Sequence, residues 1–211
     1  MILIVPCLPM VTLFIVVGTI VFSLAGFRNS SFFWKYLFNA YGIVHERQYY
    51  RIISHAFLHA DFVHLGFNMF ALYSFGHLLE TQFFPVLFEK NATLYFLFLY
   101  FGGILASSIP ETIRQHKNPS YTSVGASGAV NAVVFSSILI YPQGKISLMF
   151  LPALPSWLFG ILFLIYSWYM AKKKIDNIGH FAHLWGAFFG LTFTAILKPA
   201  LIQNIRDLIH F

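Results

Sequence analysis

Apolar residues run through this chain in long blocks separated by short polar breaks. Crossing a hydrocarbon core of about 30 Å takes about 20 mostly apolar helical residues. Six stretches meet that need, at roughly 4–26, 62–80, 92–110, 125–142, 153–171 and 178–197. Arg28-Asn29-Ser30-Ser31 closes the first, Glu89-Lys90-Asn91 precedes the third, and Glu111 to Pro119 separates the third from the fourth. Pro142-Gln143-Gly144-Lys145, Lys172-Lys173-Lys174 and Lys198-Pro199 end the last three. The first block lacks a basic leader and continues to Gly26, so it reads as a retained span rather than a cleaved signal peptide. Segment 32–60 breaks the pattern by mixing aromatics with Lys35, His45, Glu46, Arg47 and Arg51. That is the composition of an element lying half-submerged among lipid headgroups. With no repeat, linker or low-complexity tail, residues 1–211 read as one domain.

Composition strengthens this reading. The chain is 58% hydrophobic and 9% charged, with mean hydropathy +0.73, whereas soluble domains carry roughly 25% charged residues. The fold class expected is an all-α membrane protein, a six-helix transmembrane bundle. Aromatics at 19% suit lipid-facing surfaces and interfacial belts. The net charge of +6 sits in short loops, where anionic headgroups are its natural partner. No recognition motif accompanies it, so nucleic acid is not expected. A single cysteine, Cys7, excludes an intramolecular disulfide and a cysteine-built metal cage.

The polar residues inside the blocks are sorted. Even-numbered spans all begin on one side of the membrane, and the conspicuous polar groups cluster at those beginnings. The second opens with His64 and Asn68, four residues apart and so on one helix face. The fourth opens with Gly125-Ala126-Ser127-Gly128, and the sixth with His180 and His183. At about 1.5 Å per residue these groups lie at similar depths. Polar side chains within a bilayer are costly and face the protein interior. Gly128 and Ala132 on the fourth span, and Gly186 and Gly190 on the sixth, are small residues at a spacing that lets backbones approach closely. Such an approach would bring Ser127 within reach of His183, and a serine becomes a nucleophile when an adjacent base takes its proton. Asp61 and Asp176 lie near span boundaries, and no carboxylate falls at depth beside His183. The expectation is therefore a Ser–His dyad, with His64, Asn68 and the Ser127 backbone N–H available to an acyl oxyanion.

At these residues the sequence resembles the rhomboid family of intramembrane serine proteases. The matched features are Gly125-Ala126-Ser127-Gly128, His59…His64…Asn68, and Ala182-His183 followed by Gly186 and Gly190; the similarity covers about residues 43–191. The resemblance implies the six-span fold with its interfacial element, here 32–60, and cleavage of peptide bonds in or near transmembrane segments without a cofactor or metal. It implies Ser127 as nucleophile and His183 as general base, with His64, Asn68 and the Ser127 N–H as oxyanion donors. Gly125, Gly128, Gly186 and Gly190 become close-packing positions, and substrate enters near 153–178. Tyr50-Arg51 stands where the family often has Trp-Arg, and Asn131 stands where it usually has an aromatic ring packed on the histidine. The family topology also puts Lys90, Lys145, Lys198 and Arg206 inside and the other nine Lys/Arg outside, against the positive-inside bias. Four of those nine, Arg28, Lys35, Arg47 and Arg51, flank or lie in the interfacial element.

Two other readings compete. One is a catalytically inactive relative that binds membrane clients, which Asn131 keeps open. The other is a metal or haem protein ligated by His59, His64, His180 and His183, which leaves Gly-Ala-Ser-Gly unexplained. His55 and His59 are expected to be interfacial or structural, His77 interfacial, and His180 near the mouth of the site. The expected partners are transmembrane protein substrates and the lipid bilayer, and the expected location is a prokaryotic cell membrane.

Overall fold

The computed structural model describes residues 8–147, 152–173 and 179–206. Cys7, Lys174 and Asp176 lie outside that range, as do the first residues of the expected first and sixth spans. The long helices are α1 (Met10–Arg28), α2 (Phe62–Leu78), α3 (Ala92–Gln115), α4 (Ser127–Ile140), α5 (Ser156–Lys173) and α6 (His180–Leu197). Among the described residues, three helical stretches are long and apolar enough to cross a membrane: Met10–Arg28, the run Phe62–Gln115 containing α2 and α3, and His180–Leu197.

Helix α4 sits at the centre. All residues from Gly128 to Leu139 are buried, which is the expected fate of a helix apolar on every side. It packs on α6, α3 and α2, with the α6 contact the most extensive. At 14 residues it is about 21 Å long, short for a lipid-exposed span and suited to a place among other helices. A two-stranded pairing of Lys145–Ile146 with Leu154–Pro155 joins the α4 and α5 ends of the chain.

Between α1 and α2 the chain forms short helices at Ser30–Tyr36, Ala40–His45 and Arg51–Ser54, then a single 3-10 turn at His55–Phe57. Asn29 and Asn39 cap the first two through their side chains. Arg51 gathers the segment by donating to the Trp34 and Leu37 carbonyls at 2.9 and 2.8 Å.

Two boundaries differ from the expected ones. The second span does not stop at residue 80, because a π turn at Leu79–Phe83 carries it into Phe84–Phe88. The turn presents Glu80, whose carboxylate accepts from the Val11 and Thr12 N–H groups at 2.8 Å and from the Thr12 hydroxyl at 2.7 Å. Those amides begin α1, so Glu80 supplies the cap that Pro9 does not. The third span likewise runs past Pro110 to Gln115. Glu111 is therefore not a loop residue: it is buried within the helix and paired with Arg114 at 2.8 Å, which is how a buried carboxylate is tolerated.

Candidate active site

The beginnings of α2, α4 and α6 converge. Asp61 caps α2 by accepting the His64 N–H at 2.7 Å, which sets the register in which His64 and Asn68 share a face. The buried Asn68 amide donates to the His64 carbonyl at 2.9 Å, so one of its two hydrogens is spent on its own helix.

Gly125, just before α4, has φ +125°, a conformation glycine adopts without steric cost. A Cβ there would stand 2.8 Å from Cε1 and 2.9 Å from Nε2 of His64. The His64 ring thus rests against the backbone two residues before Ser127. Ser127 is the first residue of α4, and the opening amides of a helix have no intrahelical acceptor. Asn131 donates to the Ser127 carbonyl at 2.8 Å, which orients its amide nitrogen along α4.

Helix α6 runs parallel to α4 and touches it backbone to backbone. A Cβ on Gly186 would lie 2.0 Å from the Gly128 carbonyl oxygen, and one on Gly190 would lie 2.2 Å from that of Ala132. One turn nearer the helix starts, a Cβ on Gly128 would lie 3.7 Å from the Ala182 carbonyl oxygen. Ser127 and His183 are the immediate chain neighbours of Gly128 and Ala182. The His183 ring lies 6.1 Å from that of Phe163 on α5 and 5.6 Å from that of His180. His180 is not at an open mouth: it is 3% exposed and meets Tyr166 edge-on at 5.5 Å.

His59 and His55 are structural and fully enclosed. The His59 ring is wedged between α1 and the Gly125–Ser127 strand of chain. Its Nδ1 lies 3.0 Å from the Ser23 hydroxyl, which donates to the Phe57 carbonyl at 2.9 Å. Its Nε2 accepts the Ala126 N–H at 3.4 Å. This chain of bonds requires the neutral tautomer with a proton on Nδ1. Burial, reinforced by the His64 imidazole, keeps His59 in that form by lowering its pKa to about 3. His55 bonds Ser108 at 2.9 Å and its carbonyl accepts the Gly125 N–H at 3.0 Å. Burial lowers its pKa to about 4. The residues flanking Ser127 are therefore held by two uncharged imidazole-bearing residues.

Sequence reasoning gave His59 no such task, because its partners Ser23 and Ala126 are remote along the chain. The available signal was a serine among the apolar residues of the first span. Among the described residues, no three His, Cys, Asp or Glu side chains cluster as metal ligands. The histidines offered as a ligand set meet as pairs, His59 with His64 at 4.9 Å and His180 with His183.

Comparison with known proteins agrees with the residue pattern. The family model of the Rhomboid domain matches residues 46–200. The chain is 31% identical over 151 residues to RHOMBOID-like protein 12, mitochondrial, of Arabidopsis thaliana, covering 64% of this chain and 43% of that protein. It is 29% identical to Rhomboid protease GluP of Bacillus subtilis, covering 70% and 26%. It is 32% identical to Rhomboid protein 1, mitochondrial, of Saccharomyces cerevisiae, covering 71% and 42%. The matched stretch spans less than half the length of each of these relatives. Two of the three carry mitochondrial names, so they lend no support to the expected prokaryotic membrane.

Proposed function

This chain belongs to the rhomboid family, and from that premise we propose that it is an intramembrane serine endopeptidase that cuts transmembrane proteins in or near their membrane segments. The observation that carries the proposal is the backbone contact of α4 with α6 at Gly128 and Gly186. It sets the helix start bearing Ser127 beside the one bearing His183, with His64 against Gly125.

In this reading His183 takes the Ser127 Oγ proton as the oxygen attacks the scissile carbonyl. The oxyanion of the tetrahedral intermediate is met by the Ser127 N–H, His64 and the second hydrogen of the Asn68 amide. His183 then gives its proton to the departing amine, and water releases the acyl group by the reverse use of the same imidazole. Gly125, Gly128, Gly186 and Gly190 serve by being small. Asn131, bonded to Ser127's own carbonyl, takes the place of a ring packed on His183. The chain crosses the bilayer six times, with α4 and α5 completing the set and the short helices of 30–57 lying among headgroups. No metal or cofactor takes part.

The test is covalent. A fluorophosphonate probe applied to the purified protein should label Ser127, and Ser127→Ala should abolish both labelling and cleavage of a transmembrane substrate while leaving Tm unchanged. Cleavage close to the wild-type rate in that variant would end the assignment.

A further inference from the structure

A half-buried cation without an anion lies outside the proposed catalytic machinery. The Arg51 guanidinium spends Nη1 on the Trp34 and Leu37 carbonyls and Nε on the Gln48 side-chain oxygen. All three acceptors are neutral. The nearest carboxylate along this chain of bonds, Glu46, is bonded to the Gln48 amide nitrogen at 2.8 Å and not to the guanidinium. Among the described residues the single salt bridge is Arg114–Glu111, so Arg51 keeps its whole positive charge. A partly shielded guanidinium attracts an anion, and its planar donors favour phosphate and carboxylate oxygens.

The surroundings of Arg51 provide room and further donors. It lines a cavity of about 420 Å³ opening at the surface, together with Trp34, Leu37, Asn39, Ser120 and Thr122. Among the described residues the Ser120 and Thr122 hydroxyls make no hydrogen bond, so both remain available as donors. The two walls come from separate pieces of chain. Arg51 belongs to the segment between α1 and α2, and Ser120 and Thr122 to the stretch leading from α3 to Ser127. Asn39 ties the walls together by donating to the Pro119 and Tyr121 carbonyls at 2.9 and 3.1 Å. Trp34 is 61% exposed at the rim, giving the opening an apolar lip beside a cationic floor.

We propose that this cavity binds the phosphate of a phospholipid headgroup, with Arg51 supplying the charge and Ser120 and Thr122 the hydroxyl donors. The shared chemistry is a phosphate oxyanion. The apolar lip, and the position of the segment after a membrane-crossing helix, favour a phosphodiester carrying acyl chains over free phosphate. Occupied, the site bridges the segment after α1 to the stretch that ends at Ser127.

Native mass spectrometry of the full chain in detergent tests this with three probes: a phosphatidylglycerol, a diacylglycerol with the same acyl chains, and inorganic phosphate. Phosphatidylglycerol should be retained at least ten-fold better than diacylglycerol. Arg51→Gln should reduce that retention at least five-fold, and Ser120→Ala with Thr122→Ala should reduce it about three-fold. The double variant removes only unbonded surface hydroxyls, so it reads the site even if Arg51→Gln misfolds. Tight binding of inorganic phosphate alone, lost in the same variants, would overturn the lipid source. Equal retention of diacylglycerol, or undiminished phosphatidylglycerol retention in the double variant, would overturn the site.

Discussion

Helices α4 and α5 are neighbours, yet they are held in opposite ways. In α4 every residue from Gly128 to Leu139 is buried, and its contact with α6 is made by backbone atoms at Gly186 and Gly190. A hydroxyl pair, Ser136 with Thr194 at 2.7 Å, ties the same interface farther along. In α5 the buried residues are Ser156, Gly160 and Ser167 alone. Its contact with α4 is through rings and side-chain ends, Phe163 against Phe135 at 5.7 Å, while Ile165, Tyr166, Trp168 and Tyr169 stay about half exposed. A backbone contact has one geometry, whereas a contact between side chains can re-form in several. The arrangement therefore puts the proposed nucleophile and base on the pair in backbone contact, and leaves beside them a helix held through side-chain ends.

The largest effect should come from spoiling the backbone contact of α4 with α6. Gly186→Ala places a methyl group 2.0 Å from the Gly128 carbonyl oxygen, where only backbone could yield. Overpacking of this kind costs about 3 kcal/mol or more, which for a chain of this size is a Tm loss of about 10 °C. Cleavage should fall with it, because α6 can accommodate the methyl only by moving His183 away from α4. Thermal melting of the variant in detergent, with turnover measured at a temperature where it stays folded, checks both effects. Unchanged turnover would mean that close approach of these helices is not what positions the histidine.

An intermediate effect should appear with pH, through the imidazole that holds the residues before α4. The His59 bonds exist only for the neutral ring, since a second ring proton would point at the Ala126 N–H. Its pKa is about 3 in the folded chain against about 6.5 when unfolded. The unfolded state thus binds the extra proton first. Stability from this site is whole above pH 6.5 and declines steadily as the pH falls toward 3. The wild type should melt lower at pH 5 than at pH 7, with His55 adding to the same trend. His59→Gln, which cannot titrate, should melt below wild type at pH 7 and show a smaller drop between the two pH values. An identical drop in both proteins would show that His59 is not the titrating group.

These features were unequally readable from sequence, for reasons that lie in range. The glycine spacing on the fourth and sixth blocks is local, and it pointed to a close contact because small residues four apart have few other uses in an apolar helix. The grouping of His64, Asn68, Ser127 and His183 at span beginnings followed from counting crossings. The Glu80 cap was hidden because its partners, Val11 and Thr12, belong to another helix and are joined to it by a π turn that carries no local signature. Glu111 read as loop because it opens the polar stretch to Pro119 that separates two apolar blocks, and its pair with Arg114 is visible only once the helical turn is built. The low burial of α5 was hidden for the opposite reason. Both helices are mostly apolar, and burial depends on what surrounds a helix.

The smallest effect should come from the same chemical change made on α5. Gly160 is buried where α5 meets α4, but a Cβ there would meet Ile138 Cδ1 at 3.3 Å and Phe135 Cε1 at 3.5 Å. Both are side-chain ends, and a shift of a few tenths of an ångström accommodates them. Alanine in place of a mid-helix glycine contributes about 0.5–1 kcal/mol by reducing the freedom of the unfolded chain. The two terms nearly cancel, so Gly160→Ala should melt within about 2 °C of wild type and retain turnover within about two-fold. A Tm loss comparable to that of Gly186→Ala would mean that α5 is as tightly keyed as α6. The contrast between a backbone contact and a side-chain contact would then have no energetic consequence.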